Sequence, residues 1–285
     1  MKITLLGTGA SEGVPAFRCQ CKTCKEAREK GGRHVRQNAA ALVEGRRGEK
    51  LLLDLPLSIK MMLNHQGISD DHLDAIFITH SDFDHIGGLF HLQQNTNQNG
   101  FQGKEEIPVY MPADVVELFE KSLDLTEFEY AGQVLKKQYM FRIRTMRPYE
   151  TIRVGGLAIQ SLESNHLRVD SREPRDCFGY LVTEGDRRMA YFPDAFVDMP
   201  QRTFDILAES RLDFLFIDCT FETSERFATC NHLDISQLID ISKRIRPDRI
   251  FATHISHRNF GYDDLRHHLQ PHGIEVAYDG LELEL

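Results

Sequence analysis

Four side chains able to bind a metal ion fall within six residues: His80, Asp82, Asp84 and His85 in the run Thr79-His80-Ser81-Asp82-Phe83-Asp84-His85. Mixed imidazole and carboxylate donors suit Zn, Mn or Fe, whereas an all-oxygen set would suggest Mg or Ca. The bland alternative is a polar loop capping a helix, which leaves both histidines and both aspartates to be explained separately. A second set stands in Cys19-Gln20-Cys21-Lys22-Thr23-Cys24. Three thiols at this spacing can hold zinc from three corners, and a tetrahedral structural site then needs one more ligand from elsewhere. Three buried or free thiols are the alternative.

These residues need a scaffold that delivers them to one place. The apolar run 75–78 reads as a buried strand of a layered α/β domain that ends on the His80 loop. Gly87 and Gly88 then allow a tight turn into the next element. Further apolar runs at 2–6, 38–43, 50–54, 107–111, 151–154, 157–160, 178–182, 189–194, 215–219 and 249–253 read as strands, with a last strand and turn from 275 onward. Several of these end on candidates: His166 follows one, Asp194 and Asp218 close two more, and His254 follows another. Ligands at strand ends from distant segments are how an α/β scaffold converges on one site. Alone, His166 is weak evidence.

Helices are expected at 25–33, 57–65, 89–92, 114–123 and 235–245, with Asp114 capping the fourth. Asp54 closes its strand near the metal loop, where it either orients a ligand or caps the following helix. His232 in Asn231-His232-Leu233-Asp234 is a proton donor or a polar cap, and His91 reads as a packing residue. The segment 93–102 reads as an exposed loop, and Arg168, Arg172 and Arg175 as solvated side chains with a phosphate contact as the alternative. Phe128, Tyr130, Tyr139 and Phe141, in a stretch without an assigned element, read as core or homodimer contacts.

The chain has 285 residues, 41% of them hydrophobic and 27% charged, as in an ordinary globular protein. A single domain over 1–285 is within reach, with a zinc-binding loop at about 17–26. The net charge of −9 disfavours nucleic acid as a partner. No stretch approaches the roughly 20 apolar residues of a membrane span, and the start of the chain does not read as a secretion signal. Six cysteines in that setting point to metal or packing roles and to the cytoplasm.

The His80–His85 run resembles the His-x-His-x-Asp-His signature of the metallo-β-lactamase fold superfamily, with Asp82 where the second histidine usually stands. A carboxylate is a harder ligand and leans the site toward Mn or Fe. Cys19-Cys21-Cys24, Asn165-His166 before Phe178-Gly179-Tyr180, Asn231-His232-Leu233-Asp234, Thr253-His254-Ile255-Ser256-His257 and Tyr278-Asp279-Gly280 together look like the PhnP phosphodiesterases. This resemblance runs over essentially the whole chain. It implies a four-layer αββα sandwich, of class α/β (α+β), with two divalent ions. One would be held by His80, Asp82, His166 and Asp194, the other by Asp84, His85, Asp194 and His254. His257 would complete a structural zinc with the three cysteines. The implied reaction is hydrolysis of a small cyclic ribose phosphodiester, 5-phosphoribosyl 1,2-cyclic phosphate, by a hydroxide shared between the metals. His232 would serve the leaving oxygen, Asp218 would orient a partner, and Asp84 would sit at the reacting centre. The alternatives are a nuclease similar to transfer-RNA 3′ endonucleases and a non-catalytic metal-binding accessory protein of pyrroloquinoline quinone biosynthesis.

Overall fold

The computed structural model describes residues 1–68, 73–91, 106–123, 128–130, 133–135, 141–166, 176–223 and 232–285. In chain order the first half contains β1 (Lys2–Gly7), α1 (Lys22–Lys30), β2 (Ala40–Glu44), β3 (Lys50–Leu53), α2 (Ile59–His65), β4 (Ala75–Phe77) and α3 (Phe83–Ile86). Then come β5 (Ile107–Met111), α4 (Ala113–Leu123), the hairpin β6 (Phe128–Tyr130) and β7 (Gln133–Leu135), and β8 (Phe141–Thr145). The second half contains β9 (Thr151–Val154), β10 (Leu157–Glu163), β11 (Phe178–Glu184), β12 (Arg187–Phe192), α5 (Gln201–Glu209) and β13 (Phe214–Asp218). It finishes with α6 (Ile235–Ile245), β14 (Arg249–Thr253), α7 (Tyr262–Leu269), β15 (Ile274–Val276) and β16 (Leu281–Glu284).

Two mixed sheets result, in the orders β16-β1-β2-β3-β4-β5-β8 and β15-β14-β13-β12-β11-β10-β9. Each has an antiparallel part and a parallel part, which meet at β3/β4 in one and at β12/β13 in the other. Period-two alternation explains why the strands read as unbroken apolar runs, since both faces of each sheet are covered. Ile3, Leu5, Val43, Leu51 and Leu53 meet Tyr180, Tyr191, Phe216 and Phe251 in a core between the sheets. The opposite face of the first sheet, with Leu42 and Leu52, packs under Ile59 and Leu63 of α2 and Val115 of α4. That of the second, with Leu215, Ile217 and Ala252, packs under α5, α6 and α7 through residues such as Leu207, Leu238 and Leu265. Helix, sheet, sheet, helix is the four-layer αββα sandwich expected above.

Several local expectations are corrected. α1 starts at Lys22, because the Cys21 side chain accepts the Cys24 N–H and caps it, and it stops where Gly31 turns left-handed at φ 61°. α2 starts at Ile59 rather than 57. Asp114 lies inside the first turn of α4 and does not cap it. The segment after Ile86 is a 3₁₀ turn, Gly87–His91, rather than a helix over 89–92. The final segment is two strands in different sheets, joined by a turn at Asp279-Gly280 where Gly280 has φ 84° and donates to Leu5 O at 2.7 Å. α6 matches its expected bounds, fixed by a capping box between Asp234 and Gln237. Phe141 is buried beneath α4 as expected. The loop 93–102, Tyr139, Asn231, Arg168, Arg172 and Arg175 lie outside the described residues, as do the side chains of His91, Phe128 and Tyr130. No helix among the described residues is long and apolar enough to cross a membrane.

Candidate metal centre

The parallel strands point their carboxyl ends at one place, the usual position for a site in an open α/β sheet. β4 runs out through Ile78 and Thr79 to His80, and Asp82 then stands in extended conformation at the head of α3, whose single turn presents Asp84 and His85. Asp54 holds this loop. Its Oδ1 accepts the Thr79 N–H at 2.8 Å and its Oδ2 faces His85 Nδ1 at 2.9 Å. The Thr79 hydroxyl also donates to Asp54, at 2.9 Å, and so accepts from His80 Nδ1, likewise at 2.9 Å. Thr220 does the same in the second sheet: its hydroxyl donates to Asp218 Oδ1 at 2.7 Å and meets His254 Nδ1 at 3.0 Å. Three imidazoles thus have Nδ1 occupied, which leaves each Nε2 as a lone pair turned to the centre.

Backbone strain marks the same residues. Asp54 and His254 are non-glycine residues in the left-handed region, at φ 65° and 53°, a conformation that costs of order 1–3 kcal/mol and persists where the surroundings dictate it. Gly88 explains how Asp54 comes so near His85. Its N–H bonds Leu55 O at 2.7 Å, and a Cβ there would lie 2.5 Å from Pro56 O. Of the two readings of Asp54, the structure supports ligand orientation, since the cap position of α2 is Ser58. Thr79 carries a sequence signal, a threonine beside a ligand at a strand end, whereas Thr220 meets His254 across 34 residues and carries none. Replacing Asp54 with asparagine should weaken metal binding at His85 by about 10- to 100-fold, read by metal titration. Unchanged affinity would remove Asp54 from that role.

Asp194, two residues beyond β12, sits between two groups of side chains. Its Oδ1 faces His166 Nε2 at 3.7 Å and His80 Nε2 at 4.0 Å, and its Oδ2 faces His85 Nε2 at 2.9 Å and His254 Nε2 at 3.5 Å. Asp82 Oδ2 joins the first group, 3.3 Å from His166 Nε2 and 3.4 Å from His80 Nε2. Asp84 Oδ2 joins the second, 3.3 Å from His85 Nε2 and 3.5 Å from His254 Nε2.

Among the described residues, the Nε2 atoms of His80, His85 and His254 and the Asp194 Oδ2 are buried without a hydrogen-bond partner. Orphaned acceptors of this kind are rare in native interiors and call for an ion. Electrostatics point the same way. Burial disfavours charge on His85 and His254, yet Asp194 and Asp84 outweigh it and raise both pKa values. At His166 burial, with the neighbouring His80 and His232, outweighs Asp82 and Asp194, and its pKa falls to about 4. The carboxylates demand positive charge, which two divalent ions held by these residues would supply while the imidazoles stay neutral. The His/Asp clusters fit a dinuclear metal site.

A family model described as a β-lactamase superfamily domain matches residues 57–255. The chain belongs to that superfamily. Membership and the buried His/Asp cluster together fit a metal-dependent hydrolase of the β-lactamase fold. An octanoyltransferase of Porphyromonas gingivalis is 28% identical over 284 residues, which cover 99% of this chain and 51% of the relative. The chain thus spans about half the length of that curated relative. A diphosphatase from the PhnP family superposes with a TM-score of 0.79 at 23% identity, covering 100% of this chain and 96% of its own. Zinc-bound PqqB from Methylobacterium extorquens superposes with a TM-score of 0.77 at 21% identity, covering 100% of each chain. Both structural likenesses bear on the fold.

In this superfamily member His232 and Asp218 form a pair beside the two groups. His232 Nδ1 lies 2.8 Å from Asp218 Oδ2 and 3.5 Å from Asp194 Oδ1, and its ring stacks on His254 with centroids 5.0 Å apart. Burial opposes charge on His232, but Asp218, Asp194 and Asp84 outweigh it and its pKa rises to about 9. His232 also groups with Asp194 and His254 at ligand distances. Its Nδ1, the atom facing Asp194, is also the one engaged by Asp218. Asp218 is fully buried, held by the N–H groups of Thr220 and Ala195, and contacts His232 and Thr220.

The cysteine loop closes on the same strand end as His254. Cys19, Cys21 and Cys24 gather with His257, whose Nδ1 is 3.2 Å from Cys19 Sγ and 3.6 Å from Cys21 Sγ. Adjacent ligand atoms of a tetrahedral zinc lie about 3.5 Å apart for thiolate and imidazole bond lengths. The four residues therefore fit a structural metal, and α1 supplies Cys24 while Arg28 ties Ala16 O and Cys24 O together at 3.1 and 3.3 Å.

Proposed function

We propose that the chain is a dinuclear metal-dependent phosphodiesterase acting on a small phosphodiester, of which a cyclic ribose phosphodiester is the best candidate. The carrying observation is Asp194, whose two oxygens face two separate imidazole–carboxylate groups. We assign one ion to His80, Asp82, His166 and Asp194 and the other to Asp84, His85, Asp194 and His254. When bound, such ions polarise a phosphoryl oxygen and lower the pKa of a shared water. Asp82, an oxygen donor, favours Mn or Fe at its position.

The protein's own residues do the rest. Asp218 fixes the tautomer of His232 by keeping the proton on Nδ1, so that the ring is presented in one orientation to the leaving oxygen. Thr79 and Thr220 set His80 and His254, and Asp54 sets His85. A cleft of about 350 Å³ opens over these groups, lined by Glu12, Asp82, Asp84, Phe221, His232 and His254 among others. That volume lies at the small-molecule end of ligand sites and supports a compact diester over a folded RNA.

Asp82 is also what favours a second reading, a metal-binding accessory protein like PqqB, whose zinc-bound form shares the fold. Elemental analysis paired with turnover of bis(p-nitrophenyl) phosphate under added Mn, Zn or Fe separates the two. Two catalytic metals plus one zinc per chain, with turnover, is the expected result. One zinc and no turnover with any metal would sink the phosphodiesterase and favour the accessory protein.

A further inference from the structure

One carboxylate in the cleft belongs to neither metal group. Glu12 lines it, and its acceptors are arranged unequally. Oε1 accepts from the buried Ser256 hydroxyl at 2.6 Å and lies 3.2 Å from His257 Nε2. Oε2 meets only the exposed Ser11 hydroxyl, at 3.2 Å, among the described residues. The loop beneath is pinned: Asn38 Nδ2 donates to Ala10 O at 2.8 Å and to Ser11 O at 2.9 Å, and Ala10 N donates to Ile255 O at 3.3 Å.

A fixed anion in a cleft that takes an anionic diester repels it unless the anion faces a hydrogen-bond donor. The donors that a neutral, sugar-like alcohol offers are hydroxyl groups. We propose, building on the phosphodiesterase reading above, that Glu12 is a specificity-determining residue whose carboxylate accepts a hydrogen bond from a free hydroxyl on the alcohol side of the substrate. His257 gives the Cys3His centre a part in this. Its Nδ1 faces the cysteines and its Nε2 faces Glu12, so a metal held by the cysteines and His257 would fix the imidazole that faces the carboxylate. Ser256, between His254 and His257 in the chain, is the second clamp.

The test compares 5-phosphoribosyl 1,2-cyclic phosphate, whose free hydroxyl is at position 3, with its 3-deoxy analogue, in the wild type, Glu12→Ala and Glu12→Gln. The expected wild-type preference for the hydroxylated substrate is about tenfold or more in kcat/KM, the worth of one hydrogen bond to a charged acceptor. Glu12→Ala should bring the ratio close to one, and Glu12→Gln, which keeps an acceptor, should restore part of it. Elemental analysis should return wild-type metal content for Glu12→Gln, which separates a lost contact from a lost metal centre. A wild-type ratio near one, or a ratio that Glu12→Ala leaves intact, overturns the role of Glu12 while leaving the phosphodiesterase in place. Turnover of bis(p-nitrophenyl) phosphate reports on that reading independently, and a wild type inactive on every phosphodiester overturns both.

Discussion

Replacing Asp194 with alanine should abolish turnover and lower the content of both active-site metals while leaving the Cys3His metal in place. Asp194 is the one side chain shared by the two groups, 2.9 Å from His85 Nε2 through one oxygen and 3.7 Å from His166 Nε2 through the other. Its removal leaves His80 and His166 facing Asp82 alone at the centre, and His85 and His254 facing Asp84. If each ion supplies roughly 3 kcal/mol of transition-state stabilisation, and about 1.4 kcal/mol is tenfold in rate, turnover falls on the order of 10⁴-fold. The check is elemental analysis of the purified variant beside steady-state turnover. Full occupancy of both active-site metals in the variant would show that Asp194 does not bridge. A thermal melt should accompany it, because the cavity is small and the neighbouring imidazoles are buried.

The second large effect concerns His232. Its replacement with alanine should lower kcat by about 10²- to 10⁴-fold, the range of a positioned acid or base, with both active-site metals retained. His232 contacts Asp218 at 2.8 Å and lines the cleft, and neither of the two proposed ligand sets needs it. Asp218→Asn should follow in the same direction, since an amide facing Nδ1 no longer secures the tautomer or the charge. Loss of metal together with activity in His232→Ala would assign the ring to a metal instead, through the Asp194–His232–His254 group. Retained kcat with retained metal would take His232 out of the mechanism.

The residue types at the centre were legible before any coordinates because local spacing brings them together. His80 to His85 fit one loop and one helical turn, and Cys19 to Cys24 fit one loop and the start of α1. The strands were legible because both faces of each sheet are covered, which writes apolar residues at successive positions. The residue pattern does not distinguish Asp194 from Asp218, since each follows an apolar strand; the resemblance to a family did that. Packing supplies the physical difference. Asp218 is engaged by the N–H groups of Ala195 and Thr220 and by two side chains, whereas Asp194 Oδ2 has no hydrogen-bond partner among the described residues.

Other features exist only in three dimensions. The contact of Asp54 with His85, the Thr220 hydroxyl that sets His254, and the clasp of Glu12 by Ser256 and His257 join residues far apart in the chain. So does the end of the chain, where β15 and β16 pair in different sheets although their sequence reads as one strand and a turn. Sequence by itself determined which atoms can bind metal and which runs are buried, because donor chemistry and apolar patterning are local properties. Tertiary structure alone decided which atoms are left without partners at the centre, because hydrogen-bond satisfaction depends on every neighbour a side chain meets.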